Sequence, residues 1–304
     1  MSITILGFAL GILSALFFGL YMVPQKLVKI DNSTFLLSMG FGVLFTSLLA
    51  YGLALALGLA HYHHQLVPKL YGVICGTVWG LGTLSFAASI GRIGMTLATP
   101  IKNTTGILGT LVGLIIFHEW QTTNPWLGVG GSLLIVVSAI LISATNDKNA
   151  PRRHSAIGVI YALLAACCYA SYLVPMKLAV KMVGYWEFTP WMALGILLTT
   201  TLAVVLRADG RRDFVSYPWR VYGLSMLGGA SWTIALITMS ASMNMIDLSV
   251  AWALAQLNTI PAVFLGSLVF HEIHFATHRR LIYLGLLAAT IGTFLLGWAK
   301  QYQR

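Results

Sequence analysis

The stretch YMVPQKL at residues 21–27 recurs as YLVPMKL at residues 172–178, an offset of 151 with five of seven positions identical. Further along the chain the offset has become 153: Trp79 pairs with Trp232, and FHE at residues 117–119 recurs at residues 270–272. Chance produces one such match easily, but an ordered series at a nearly constant offset is the signature of an internal repeat. The sequence therefore predicts a tandem duplication.

The composition places this duplicated chain in a lipid bilayer. Of its 304 residues, 58% are hydrophobic and only 9% are charged, whereas a soluble domain carries about 25% charged residues. The net charge of +10 would suggest nucleic acid as a partner in a soluble protein. Here the basic residues lie mainly between apolar runs, which is typical of loops that orient membrane helices. The sequence thus predicts an integral membrane protein with no nucleic-acid partner.

Apolar runs of the length that a membrane-spanning helix needs, about 20 residues, follow one another along the chain. They are residues 4–24, 35–59, 69–90, 94–117, 125–143, 156–176, 188–206, 217–241, 247–270 and 281–299. The connections between them are too short to form a soluble catalytic domain. The predicted fold class is an all-α integral membrane protein with ten transmembrane helices.

The duplication and the span count together predict an inverted repeat. Residues 1–147 and 148–304 each hold five spans, and an odd number makes the second repeat enter the membrane from the opposite side. Inverted repeats are common in secondary transporters, because exchanging the conformations of the two halves exposes a central site to each side in turn.

Two motifs in each half resemble those of the drug/metabolite transporter (EamA-like) superfamily. The first, at the end of the first span, is an aromatic residue and a small residue followed by Lys, at residues 18–26 and more loosely at 169–177. The second closes the fourth span with a Gly-containing apolar run and Glu, at residues 113–119 and 266–272. This resemblance covers nearly the whole chain and implies a transporter of small molecules.

Within that superfamily, two short patterns resemble the glucose/ribose porter group of sugar transporters. They are WGLG at residues 79–82, in span three, and ALAQ at residues 253–256, in span nine. The resemblance implies a sugar as the transported solute.

Polar side chains near the middle of spans four and nine are the first candidates for substrate binding. Asn103 and Gln256 are equivalent at offset 153, and Thr104 and Asn258 lie close to them in the sequence. Polar groups at this depth are costly unless they are satisfied, and transporter substrates usually bind there. The alternative is that these side chains only form hydrogen bonds between packed helices.

Lys102 lies about two helical turns inside span four. A buried ammonium is costly, so we expect it to face a water-filled cavity, an acidic partner or an anionic substrate. Snorkelling towards the membrane surface is the alternative.

Six aromatic residues could offer flat faces and hydroxyl groups to a sugar: Tyr21, Trp79, Tyr169, Tyr172, Trp232 and Trp252. An aromatic belt at the membrane interface is the alternative, although Trp79 and Trp232 lie near the middle of their spans.

Most acidic residues fall in the connections or at the ends of spans. Glu119 and Glu272 end spans, where we expect contacts with neighbouring helix termini, and Asp247 opens span nine, where we interpret it as an N-cap. Because no carboxylate lies convincingly at mid-membrane, coupling to protons stays open.

These features predict a secondary transporter that moves a small polar solute, in the first place a sugar, by alternating access around a midplane site. An exporter of amino acids or other small metabolites is the alternative. An intramembrane lipid-modifying enzyme would need a converging acid/base or metal constellation, which we do not find. The expected partners are the solute and the lipid bilayer, with no cofactor or bound metal, and the protein could be a monomer or a homodimer.

The basic residues predict the orientation in a cell (inner) membrane. Connections after odd-numbered spans hold 12 of them: Lys26, Lys29, Arg92, Lys148, Arg152, Arg153, Arg207, Arg211, Arg212, Arg220, Arg279 and Arg280. Connections after even-numbered spans, with the C-terminal tail, hold five: Lys69, Lys177, Lys181, Lys300 and Arg304. The positive-inside rule then places both termini outside the cytoplasm.

Overall fold

The computed structural model describes residues 3–28, 30–93, 98, 101–143, 155–207, 210–261, 264–265 and 275–301. Every regular element in these ranges is helical. The α-helices are α1 (Ile3–Leu20), α2 (Val23–Val28), α3 (Asn32–Ala56), α4 (Leu66–Ile93), α5 (Thr105–Leu111), α6 (Pro125–Ser143), α7 (Ala156–Ser171), α8 (Leu173–Val205), α9 (Gly210–Val215), α10 (Trp219–Ile246), α11 (Leu248–Ala255) and α12 (Phe275–Gln301). A π-helical turn (Val112–Ile116) extends α5, and 3-10 turns occupy Glu119–Gln121 and Gln256–Asn258.

Among the described residues, seven helical stretches are long and apolar enough to cross a membrane, and a shorter apolar helix covers Ile101–Ile116. One of the seven stretches, Ala156–Val205, comprises α7 and α8 and has 50 residues. At 1.5 Å per residue a straight helix of that length would measure about 75 Å, more than twice a hydrocarbon core of about 30 Å. The chain therefore turns within it, at Gly184, whose φ of 75° is a conformation that glycine adopts without steric cost.

The outer surface of the bundle is apolar. Large hydrophobic side chains are exposed along several helices, among them Ile5 (58% exposed), Phe45 (63%) and Leu202 (56%). Water would not tolerate such a surface over several helices, whereas lipid does. The chain is therefore an all-helical, multi-pass membrane protein, as the composition predicted. The count of ten spans stays a prediction, because parts of predicted spans four and nine lie outside the described residues.

Close helix crossings at glycine hold the bundle together. Gly42 of α3 faces Gly229 of α10, and Gly76 of α4 faces Gly195 of α8. A Cβ atom at any of these four glycines would meet backbone atoms of the facing helix. Small residues at such crossings let two helices approach closely enough for extensive van der Waals contact.

The start of α3 is tied to the connection that follows α8. Asp31 is the N-cap of α3, and its Oδ2 accepts hydrogen bonds from the backbone N–H groups of Ser33 and Thr34, both at 3.1 Å. Arg207 Nη1 lies 2.7 Å from the same oxygen. Burial acts to raise the pKa of Asp31, but the hydrogen bonds from Thr34 and Ser33 and the charge of Arg207 outweigh it and lower the pKa. The carboxylate thus stays ionised and fixes the entry into α3.

Candidate functional site

The two helices that carry the predicted polar residues are interrupted at equivalent positions. In the first half, helical residues 101–103 give way to a turn at Thr104 before α5 begins, and Thr104 Oγ1 donates to the Ile101 carbonyl at 2.7 Å. In the second half, α11 gives way at residue 256, offset by 153 from residue 103, to the 3-10 turn Gln256–Asn258. Discontinuous helices are a common way to build a transporter site, because they release backbone polar groups from the helical ladder.

A cavity lies beside these interruptions, near the midpoints of α4 and α10. It is lined by aromatic side chains and a few polar ones, which are Phe18, Tyr21, Trp79, Phe86, Lys102, Thr105, Tyr169, Tyr172, Trp232, Trp252, Gln256 and Asn258. Its volume is about 60 Å³, well below the roughly 300–1,000 Å³ of ligand pockets. The cavity therefore has to widen before it can hold a sugar.

Four aromatic rings form a continuous group along the cavity, which we call the aromatic quartet: Phe18, Trp79, Tyr169 and Trp232. The rings of Trp79 and Trp232 lie 4.9 Å apart between centroids. Tyr169 lies 6.4 Å from Trp79, and Phe18 lies 6.3 Å from Trp232. Aromatic pairs favour tilted and edge-on contacts of this kind. Such contacts leave flat apolar faces on which a sugar ring can pack.

The three tyrosines predicted from the sequence all line the cavity. Tyr172 is 2% exposed, and its ring lies 6.0 Å from that of Trp252 in an edge-on arrangement. Tyr21 is half-buried just after α1 ends. The hydroxyl group of Tyr169 adds a third phenol, 2.9 Å from the Thr83 hydroxyl.

The predicted midplane amides occupy different environments. Gln256 and Asn258 line the cavity, and Gln256 Nε2 donates to the Trp252 carbonyl at 3.4 Å. Asn103 is 1% exposed, and its Nδ2 donates to Thr259 Oγ1 at 3.3 Å. The structure therefore places Gln256 and Asn258 on the cavity wall, while Asn103 lies behind it, bonded to the opposite half of the chain.

Lys102 lies on the cavity wall. Its Nζ is 5.5 Å from the centre of the Phe86 ring and 5.9 Å from that of Tyr169. Aromatic faces attract cations, but they do not neutralise the charge. The sequence left open whether Lys102 faces a cavity, an acidic partner, an anionic substrate or the membrane surface. In the structure it faces the cavity.

Some lining residues were not among the candidates that the sequence predicted. Phe18 could have been found, because it precedes the small residue of the first motif and equals Tyr169 at offset 151. Phe86 carried no comparable signal, since nothing in the sequence distinguishes it from the other apolar residues of α4.

A group of charged side chains, one buried and three partly exposed, lies at the end of the bundle where α11 begins. We call it the carboxylate cluster, defined by Glu119, Lys177, Asp247 and Lys300. Glu119 is 4% exposed and accepts hydrogen bonds from the backbone N–H groups of Leu248 and Ser249, each at 2.8 Å. Lys177 forms an ion pair with it. The expectation that Glu119 contacts a neighbouring helix terminus is confirmed, whereas Glu272 lies outside the described residues.

Asp247 completes the cluster in an unexpected way. Its φ of 72° marks a sharp break between α10 and α11. Its Oδ2 accepts hydrogen bonds from Thr122 Oγ1 at 2.8 Å and Thr123 Oγ1 at 3.0 Å, and it pairs with Lys300. Asp247 holds the N-cap position of α11 without a side-chain capping bond, so our interpretation of its role was wrong. Instead, the carboxylate of Glu119 accepts hydrogen bonds from the first two N–H groups of α11.

Comparisons with known proteins agree with this arrangement. A model of a family described as sugar transport protein matches residues 11–299. The chain belongs to the sugar transport protein family. This membership confirms the prediction of a membrane transporter for sugars.

The relatives of this transporter carry matching names. A probable glucose uptake protein of Bacillus cereus is 27% identical over 304 residues, which cover 96% of this chain and 99% of the relative. A putative sugar uptake protein of Streptococcus pyogenes serotype M1 is 26% identical over 240 residues, covering 76% and 79%. A putative sugar uptake protein of Lactiplantibacillus plantarum is 26% identical over 242 residues, also covering 76% and 79%.

The fold of this transporter also resembles a solved crystal structure. The TM-score is 0.70, the sequence identity is 14%, and the likeness covers 98% of this chain and 99% of the other. At this identity the likeness concerns the fold alone.

Proposed function

We propose that this transporter takes up glucose or a closely related monosaccharide across the cell membrane, by alternating access around the central cavity. The cavity would lie between two inverted repeats of five helices each, residues 1–147 and 148–304. The observation that carries this proposal is the contact between Trp79 and its repeat equivalent, Trp232, at the cavity wall. A residue meets its own equivalent where a pseudo-two-fold axis passes between them.

Other contacts follow the same symmetry. Gly7 packs against Ile246 as Gly158 packs against Ile93, and these four residues are equivalent at offsets 151 and 153. The glycine crossings behave alike, because Gly42 and Gly229 are the equivalents of Gly195 and Gly76. Symmetric contacts of this kind support inverted repeats with ten spans and, with the motifs above, a place in the drug/metabolite transporter superfamily.

In this proposal the substrate site is built from complementary parts of the cavity wall. The aromatic quartet would pack against the apolar faces of the sugar ring. Gln256, Asn258 and the hydroxyl groups of Tyr21 and Tyr172 would bind the sugar hydroxyls. Asn103 and Thr104 would act from behind the wall, by holding the helix interruption in place.

The carboxylate cluster closes one end of the path to this site. It joins the connection after span four, in the first repeat, to the start of α11, in the second. We propose that the cluster separates when the transporter opens at this end. By the repeat symmetry, the equivalent region of the other repeat would close the opposite end in the alternate state.

The test is uptake of radiolabelled D-glucose into proteoliposomes, with unlabelled sugars and amino acids as competitors. We expect saturable uptake that other monosaccharides inhibit and amino acids do not. Trp232→Ala should abolish it, whereas Trp298→Ala should not, because Trp298 is 51% exposed on the lipid-facing surface. Uptake of amino acids but not sugars would overturn the proposal.

The orientation has its own test. The start of α1 and the end of α12 both lie at the cluster end, since Gly7 packs against Ile246 and Lys300 pairs with Asp247. The positive-inside rule therefore assigns the carboxylate cluster to the outside of the cell. A reporter fused after Arg304 that is active only in the cytoplasm should stay silent, and a strong signal would reverse the assignment.

A further inference from the structure

The cavity contains a positive charge for which the described part of the chain provides no counter-charge. Lys102 lines the cavity, yet each carboxylate whose side chain is described is engaged elsewhere. The four pairs are Asp31 with Arg207, Glu119 with Lys177, Glu187 with His63, and Asp247 with Lys300. None of these four described carboxylates is the counter-charge of Lys102, so its ammonium is open to an anionic ligand.

The surroundings of Lys102 keep the ammonium at the wall without neutralising it. The rings of Phe86 and Tyr169 lie within 6 Å of Nζ, which is the range of a cation–π contact. Such contacts compensate only part of the cost of removing a cation from water. In the empty transporter, water in the cavity has to solvate the remainder.

A second polar group beside Lys102 is also free to bind a ligand. Thr105 lies three residues further on, just after the helix interruption, and it lines the cavity as well. It is 1% exposed, and its Oγ1 has no hydrogen-bond partner among the described residues. An ammonium and a hydroxyl donor that line the same cavity match the two oxygens of a carboxylate.

We propose that this transporter prefers monosaccharides that bear a carboxylate, such as a hexuronate, and that Lys102 is the residue that selects them. The inference rests on the proposed function, because it places the sugar in the same cavity. The carboxylate accepts hydrogen bonds from Lys102 and Thr105, while the ring packs against the aromatic quartet.

The balance of charge explains the preference. A neutral sugar displaces water from the ammonium and leaves the charge without compensation, whereas a carboxylate replaces both the water and the missing counter-charge. A doubly charged phosphate would exceed the single cation on the described wall. A sugar with one negative charge therefore matches the charge of this cavity best.

D-Glucuronate and D-glucose test the preference well, because they differ only at C6. In proteoliposomes that contain the wild-type transporter, glucuronate should compete for uptake of either labelled sugar about tenfold better than glucose, the value of one charge-assisted hydrogen bond. Lys102→Gln should remove this advantage, so that glucuronate and glucose then compete about equally. Lys102→Arg keeps the charge and should retain most of the advantage, and Thr105→Val should reduce it less than Lys102→Gln does.

Each outcome decides something. If glucuronate competes no better than glucose in the wild type, the inference is wrong even though glucose uptake supports the proposed function. If glucose 6-phosphate competes better than glucuronate, the anionic group is a phosphate and the inference is also wrong. If glucuronate enters and glucose does not, the inference stands and the glucose assignment falls. Uptake of neither sugar would refute the proposed function, and the inference with it.

Discussion

The carboxylate cluster and the cavity differ in whether their polar side chains have partners within the described part of the protein. In the cluster, Glu119 pairs with Lys177 and accepts hydrogen bonds from two backbone N–H groups. In the cavity, Lys102 has no ion-pair partner among the described residues, and the hydroxyl group of Thr105 has no hydrogen-bond partner there.

This difference separates two roles in one bundle. Buried polar groups are nearly always satisfied, and a satisfied network makes a local arrangement rigid. Groups left unsatisfied within a cavity are instead available to a ligand. In the proposed transport cycle, the cluster holds one conformation of the transporter together, and the unpaired groups of the cavity wall bind the solute.

The largest effect is expected from breaking the cluster with Glu119→Ala. The substitution removes the partner of Lys177 and the acceptor for two N–H groups of α11. Removing one partner of a buried ion pair costs about 3–5 kcal/mol, so we expect a clear drop in the thermal unfolding temperature in detergent and loss of uptake.

Asp31→Asn is the comparison variant for this test. Like Glu119, Asp31 forms an ion pair, with Arg207, but it lies in a more exposed connection. Its effect should be much smaller. A Glu119→Ala variant as stable as the wild type would mean that the cluster does not hold the bundle together.

A smaller and differently placed effect is expected at the midplane amides. Gln256→Ala removes a side chain from the cavity wall, and one neutral hydrogen bond is worth about 0.5–1.5 kcal/mol. We therefore expect sugar uptake at low concentration to fall by about threefold to tenfold, with the unfolding temperature nearly unchanged.

Asn103→Ala sharpens this comparison. Because Asn103 donates to Thr259 rather than facing the cavity, its loss should lower the unfolding temperature more than it weakens apparent sugar affinity. The opposite order for the two variants would place Asn103, and not Gln256, against the sugar.

The smallest effect is expected from Lys300→Gln at the edge of the cluster. Both partners of this ion pair are partly exposed, Lys300 by 14% and Asp247 by 23%, and such pairs contribute at most about 1 kcal/mol. The unfolding temperature should fall slightly, and less at high salt, because ions screen the pair. A loss as large as that of Glu119→Ala would show that Asp247, and not Glu119, is the centre of the cluster.

The sequence was most informative where the solvent dictates the pattern. Apolar runs of about 20 residues follow from the thickness of the bilayer, so the membrane location could be predicted without any contact. Repeat offsets could be counted directly, and they identified Trp79 and Trp232 as equivalent residues before their contact was known. Charged and amide residues within spans stood out for the same reason, since hydrocarbon penalises them.

Only the tertiary structure decided what each of these groups faces. The sequence gives a residue its depth along a helix, but the rotation of that helix against its neighbours depends on packing. Gln256 and Asn103 were equivalent in the sequence, yet one lines the cavity and the other lies behind it. Glu119 and not Asp247 binds the first N–H groups of α11, because a connection 129 residues earlier in the chain reaches that helix end. Long-range contacts of this kind depend on how the helices pack together, so the local sequence does not predict them.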